Sequence, residues 1–158
     1  MRGWPGLCGG IGLGVMLALT GCASHKPRPE FHLTVTSDGD FLAFKPDRLS
    51  VPAGAMVVVT FHHAGRIISQ KHDFVVAAKD AMPALLAQSN QLAASSTDED
   101  KSFIAPGDAR VISASPRIAK GETTTIRFIA PAPGDYPFFC STPGHADTMR
   151  GVLHVTPS

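Results

Sequence analysis

Charge is scarce and balanced in this 158-residue chain: charged residues make up 17% of it, and 14 Lys and Arg against 13 Asp and Glu leave a formal net charge of +1. That balance gives no electrostatic basis for binding nucleic acid. No apolar run approaches the roughly 20 residues that cross a bilayer, which excludes a polytopic membrane protein. Cysteine is rare, with three residues, and there is a single tryptophan. What is present points to one folded domain. Hydrophobic residues reach 44%, enough for a packed core. Fifteen glycines and thirteen prolines favour many turns over long helices or a coiled coil.

The first residues read as an address rather than as structure. Met1 to Cys22 is MRGWPGLCGGIGLGVMLALTGC, with Arg2 as a positive head and Gly10 to Leu19 as a short apolar stretch. Residues 1–21 therefore read as a signal peptide and stay outside the fold. Leu19-Thr20-Gly21-Cys22 resembles a bacterial lipoprotein processing site. That resemblance implies cleavage before Cys22 and lipid on its sulfur, and Ala23 after it resembles outer-membrane sorting. Several acyl chains anchor stably, since each buried CH₂ contributes about 0.8 kcal/mol. Residues 22–30 then form a lipidated cysteine and a polar, proline-containing tether, and 31–158 the domain. Cys8 leaves with the leader, so a lipidated Cys22 leaves Cys140 without a disulfide partner. A lone thiol in an oxidising compartment is either buried and inert or occupied.

Short β-prone segments bounded by turns fill the domain: Phe31 to Thr36, Met56 to His62, Asp73 to Ala77, Val111 to Ser115, Thr123 to Ile129, Asp135 to Cys140 and Gly151 to Thr156. This spacing predicts an all-β sandwich or barrel. Val51-Pro52-Ala53-Gly54 reads as a turn. Pro83 to Ala94 breaks the pattern, with a proline suited to a first helical turn and good helix formers behind it. It predicts one short helix inserted between strands, and Asp98 to Lys101 a solvated loop after it.

The sharpest signal is Cys140-Ser-Thr-Pro-Gly-His145-Ala-Asp-Thr-Met149. A thiolate, an imidazole and a thioether fall within ten residues, at a strand end and in the loop that follows. His72 stands at another strand boundary, just before an apolar strand. Taken singly, each of these residues reads as core or loop. Together, two histidines, one cysteine and one methionine form the donor set of a blue-copper electron-transfer site. Soft sulfur favours Cu(I), imidazole binds Cu(II) well, and a rigid β scaffold holds one geometry for both states. His62 and His63 point to opposite faces of a strand and cannot act as an adjacent pair. They read as structural or surface residues, as do His25, His32 and His154.

Three stretches carry a family resemblance. Tyr136 to Gly151 closely resembles the copper-ligand loop of azurins and auracyanins, His72-Asp-Phe-Val-Val their first-ligand strand, and Pro106 to Ser113 the azurin segment after the helical flap. The similarity covers roughly Phe31 to Thr156 and is weak between Lys79 and Ile104. It implies an eight-stranded Greek-key cupredoxin sandwich with one copper at one end. It implies His72, Cys140 and His145 as strong ligands, Met149 as the weak axial one, and an opposite axial approach by the carbonyl of Lys71, where azurins carry glycine. Asp73 stands where the family usually has Asn and is expected to accept from the Ser141 hydroxyl. The amides of Asp73 and Thr142 are expected to donate to the Cys140 sulfur and tune the potential. Gln70, Lys71 and Asp147 occupy positions that are usually apolar or small, which implies a polar docking face with salt-sensitive partners, although Ile67 and Ile68 restore some apolar area.

The expected function is one-electron transfer through the His145 edge by a monomeric, lipid-anchored carrier on the periplasmic side of a bacterial membrane. Its partners would be redox proteins such as c-type cytochromes or copper oxidoreductases. A copper chaperone or store would use the same ligands but more exposed Met and His clusters. Met1 and Met16 lie in the leader, and Met56, Met82 and Met149 form no cluster. An enzyme would need a second copper with open coordination, and one saturated ligand set offers no substrate position. A dinuclear copper site would need a second nearby cysteine. A bare adhesion module leaves the 140–149 spacing unexplained.

Overall fold

The structure is a computed structural model that describes residues 28–67, 69–96, 98 and 101–158. The leader, Cys22 and most of the tether lie outside the described residues, as does Ile68. The order of elements is β1 (Glu30–Asp38), β2 (Phe41–Lys45), β3 (Arg48–Pro52), β4 (Met56–His62), β5 (Val75–Ala77), α1 (Met82–Ala94), β6 (Val111–Ala114), β7 (Thr123–Ile129), β8 (Gly134–Phe139) and β9 (Arg150–Thr156). Two sheets form, ordered β2-β1-β4-β7 and β3-β9-β8-β5-β6. Most successive strands change sheet, which gives the Greek-key sandwich expected from the resemblance.

Among the described residues nine strands stand where eight were expected. The extra one comes from a segment that crosses between sheets. β2 pairs with β1 in the first sheet and β3 with β9 in the second, with Pro46 and Asp47 between them. Proline has no N–H for a ladder, so pairing stops there. Counted as one crossing strand, β2 and β3 restore eight. Val51 and Pro52 belong to β3, so the turn is confined to Ala53 and Gly54, where Gly54 takes φ +76°.

Alternation decides what each strand buries. Along β7, Ile126 and Phe128 are buried, while Thr123, Thr125, Arg127 and Ile129 are exposed. Four phenylalanines fill the space between the sheets: Phe44 lies 5.5 Å from Phe61, 5.3 Å from Phe74 and 5.7 Å from Phe138, centroid to centroid. Burying each ring contributes roughly 1.5–3 kcal/mol. On β5 and β8, Val76 and Phe138 join this core, whereas Val75, Ala77 and Phe139 face the other way into a second cluster with Leu85 of α1. The helix thus covers the outer face of the second sheet, starting one residue before the expected Pro83.

β1 runs parallel to β4, with Glu30 opposite Met56 and Thr36 opposite His62. The chain therefore enters the sandwich at one pole, and β4 ends at the other. β8 also ends, and β9 begins, at that far pole, where Phe139 pairs with Arg150.

Candidate metal centre

Cys140 follows β8 directly, and its amide donates to the carbonyl of Met149 at 3.0 Å, closing the ten-residue loop at its neck. Inside the loop, Pro143 and Gly144 make the turn, with Gly144 at φ +77°. A short 3₁₀ turn, His145–Asp147, follows, and the Met149 amide donates to the His145 carbonyl at 2.7 Å. His72 comes from the other side. It precedes β5 and is pinned by an antiparallel bridge to Ile118, through bonds of 3.0 and 2.8 Å.

These elements bring His72, Cys140 and His145 together in the interior. Their exposures are 2%, 0% and 3%. The two Nδ1 atoms lie 3.1 Å apart, and the Cys140 sulfur lies 3.8 Å from His72 Nδ1 and 3.6 Å from His145 Nδ1. Metal–nitrogen bonds of about 2.0 Å and a metal–sulfur bond of about 2.3 Å place neighbouring donors roughly 3.3–3.8 Å apart. The donor set and its spacing therefore fit one soft or borderline cation, copper among them.

Electrostatics agree with that use. Burial, with the charges of His63, His145 and Arg117, lowers the His72 pKa to about 3. Burial and then Arg117 lower that of His145. Both rings are thus neutral at ordinary pH, with lone pairs available. The Cys140 thiol is pushed up to about 12, first by burial and then by the Asp73 charge, while hydrogen bonds from Thr142 and the Asp73 amide act against it. A bound cation would replace the thiol proton.

Asp73 ties the two segments together through two hydrogen bonds. The fully buried carboxylate accepts from the Ser141 amide at 2.6 Å and from the Ser141 hydroxyl. Burial raises its pKa, although the two Ser141 bonds, the Cys140 side chain and the Arg117 charge act the other way. The Thr142 hydroxyl donates to the Lys71 carbonyl at 3.1 Å. Met149 is fully buried and belongs to the same core cluster as Cys140.

Three contributors escaped the sequence reading. His63 is buried, and its ring lies 4.3 Å from that of His72. Its Nε2–H donates to the Gln70 carbonyl at 2.9 Å, and its Nδ1 accepts from the Gly65 amide at 3.1 Å. It is structural, as expected, but braces a ligand directly. Arg117, over the Phe103 ring at 4.3 Å, supplies a cation to the site. Ser89 of α1 donates to the Ser141 carbonyl. Nothing in the sequence singles it out, since its burial appears only once the helix is docked. His32 and His154 are exposed, as expected of surface residues, whereas His25 lies outside the described residues.

Beside His145 opens a cleft of about 380 Å³, with Gln70, Lys71, Arg117 and Thr142 among its walls. Gln70 and Asp147 are exposed, and Ile67 is 82% exposed.

The chain is similar to known proteins over most of its length. Residues 31–156 match the family of copper binding proteins described as the plastocyanin/azurin family. Azurin iso-2 of Methylomonas sp. (strain J) is 38% identical over 128 residues, covering 77% of this chain and 95% of that one. Auracyanin-A of Chloroflexus aurantiacus is 30% identical over 124 residues, covering 78% and 73%. Among solved structures, reduced auracyanin from Roseiflexus castenholzii superposes with a TM-score of 0.69 at 30% identity, over 80% of this chain and 97% of that one. A family match over most of the chain and a buried His-Cys-His cluster lead to one conclusion: this protein is a cupredoxin of the plastocyanin/azurin family, built to hold one copper for electron transfer.

Proposed function

We propose that the protein is a membrane-anchored electron shuttle with a type 1 copper centre. In this reading His72, Cys140 and His145 would be the strong ligands, Met149 would add a weak thioether donor, and the Lys71 carbonyl would add a further oxygen donor. The observation that carries it is the convergence of two neutral imidazoles and one thiol, buried within 4.8 Å of one another. When bound, copper supplies a one-electron Cu(I)/Cu(II) couple. The protein's own part is to hold the donors rigid, exclude water, and hydrogen-bond the sulfur through the amides of Asp73 and Thr142.

Lipid on Cys22 anchors the domain on the periplasmic side, at the outer membrane, and the chain acts as a monomeric carrier rather than an enzyme. Electrons pass through the His145 edge to c-type cytochromes or copper oxidoreductases. Gln70, Lys71 and Asp147 make that edge polar, so transfer rates with such a partner should depend on ionic strength. Rates that stay flat from low to high salt would count against a polar docking face.

The test is a visible spectrum of the purified protein titrated with Cu(II), with Cys140→Ser alongside. The polypeptide absorbs only in the ultraviolet. An intense red-absorbing band at one copper per chain, bleached by ascorbate and absent in Cys140→Ser, is expected. Colourless or multi-copper binding would instead favour a copper carrier. Labelling with a radioactive fatty acid that persists in Cys22→Ala would refute the anchor.

A further inference from the structure

α1 buries two residues, Leu85 and Ser89, both fully. Leu85 is ordinary core. A buried hydroxyl costs stability unless it is satisfied, and that of Ser89 donates to the carbonyl of Ser141, the residue next to Cys140. Every polar group of Ser141 is thereby engaged. Its carbonyl accepts from Ser89, its amide donates to Asp73 Oδ1 at 2.6 Å, and its hydroxyl donates to Asp73 Oδ2. Ties from two separate elements fix the peptide planes on both sides of this residue.

The geometry of the peptide group gives the third tie its meaning. The Ser141 carbonyl and the Thr142 amide belong to one rigid plane, and in a trans peptide they point in opposite directions. Holding the oxygen toward α1 turns the N–H away from it, toward the metal centre. There the Thr142 amide is one of the groups hydrogen-bonded to the Cys140 sulfur.

We propose that Ser89 is a positioning residue for the metal centre, which, by anchoring the Ser141 carbonyl to α1, keeps the Thr142 N–H aimed at the Cys140 sulfur. It touches no ligand itself and acts through one peptide plane. The inference rests on the copper reading above. An amide aimed at a thiolate withdraws charge from the sulfur and favours the lower oxidation state of a bound metal, so loosening the plane shifts the balance toward Cu(II).

The experiment compares wild type, Ser89→Ala, Ser89→Thr and Leu85→Ala, all copper-loaded, by reduction potential, visible spectrum and melting temperature. In Ser89→Ala the ratio of Cu(I) to Cu(II) affinity should fall about fivefold, a downward shift of ~40 mV at 59 mV per tenfold for one electron. Its red-absorbing band should be retained and displaced. Ser89→Thr keeps the hydroxyl and should keep the wild-type potential. Leu85→Ala should melt at lower temperature with its potential unmoved. An unchanged potential in Ser89→Ala, or an equal shift in Leu85→Ala, overturns the role and leaves Ser89 as the partner of a buried carbonyl only. Should Ser89→Ala fail to fold, Ser89→Cys replaces the hydroxyl by a weak donor of similar shape. A downward shift there supports the proposal, and none overturns it. A wild-type protein without the band would refute the copper reading itself, a result distinct from any of these.

Discussion

Replacing Asp73 by Asn removes a charge from the metal centre while leaving its shape. The asparagine Oδ1 can still accept from the Ser141 amide, and its Nδ2 can donate to a rotated Ser141 hydroxyl. Burial raises the Asp73 pKa, the Ser141 bonds, the Cys140 side chain and the Arg117 charge act against that rise, and the substitution reads out whether the carboxyl is ionised beside the copper. The carboxylate oxygen lies 2.6 Å from the Ser141 nitrogen. That nitrogen is bonded to the carbonyl carbon of Cys140, and the Cys140 side chain also hydrogen-bonds the Asp73 carboxyl, so the charge sits within roughly 4–6 Å of the sulfur. At an effective dielectric of about 20, a unit charge at that distance is worth ~3 kcal/mol. With about 1.4 kcal/mol and 59 mV to each tenfold change, the difference is on the order of 100 mV for a one-electron couple. A negative charge favours Cu(II), so Asp73→Asn should raise the reduction potential by about that amount. Spectroelectrochemical titration of the copper-loaded variant at pH 7 measures it. A rise below roughly 20 mV, or a fall, with the red-absorbing band intact would refute the reasoning, because it would mean that no charge resides on Asp73.

Other expectations follow from the same packing. A methyl at Gly151 would sit 2.2 Å from Phe138 Cζ and 2.3 Å from the Asp47 carbonyl. That carbonyl accepts from the Val152 amide, so the neighbours cannot both yield. Gly151→Ala should cost about 3 kcal/mol and lower the melting temperature by ~10 °C, and a shift under 2–3 °C would contradict this. For His72 the folded pKa is about 3 against an ordinary 6.5, so the unfolded chain takes up a proton that the folded one refuses. The metal-free protein should therefore lose stability as pH falls from about 6.5 toward 3. His72→Gln should flatten that limb when melting temperature is followed against pH, and an unaltered slope would sink the assignment.

The loop that brings Cys140 and His145 to the cluster was legible because its chemistry is local: with Met149 they lie within ten residues, and a strand and a Pro-Gly turn frame them. His72 was legible from its place before an apolar strand. β2 and β3 were not, because Phe41 is exposed, Pro46 interrupts the pattern, and β3 finds its partner a hundred residues away in β9. Ser89 reads as a solvent-facing helical residue until the helix is docked. The contact between His63 and His72 is likewise tertiary, made where the two sheets meet. Local spacing carries the donors, whereas what steadies them comes from elements that only packing brings near.

The parallel pairing of β1 with β4 gives the molecule an orientation. With lipid at Cys22, the tether enters β1 at Glu30, at the pole away from His63, Cys140 and His145. Nine residues of strand at about 3.3 Å each separate the two poles by roughly 25–30 Å. If the proposed anchor holds the domain, it would float like a buoy, keel toward the bilayer and redox edge outermost. Its encounters would then be with proteins reached across the aqueous gap, and its search for them would be confined to two dimensions.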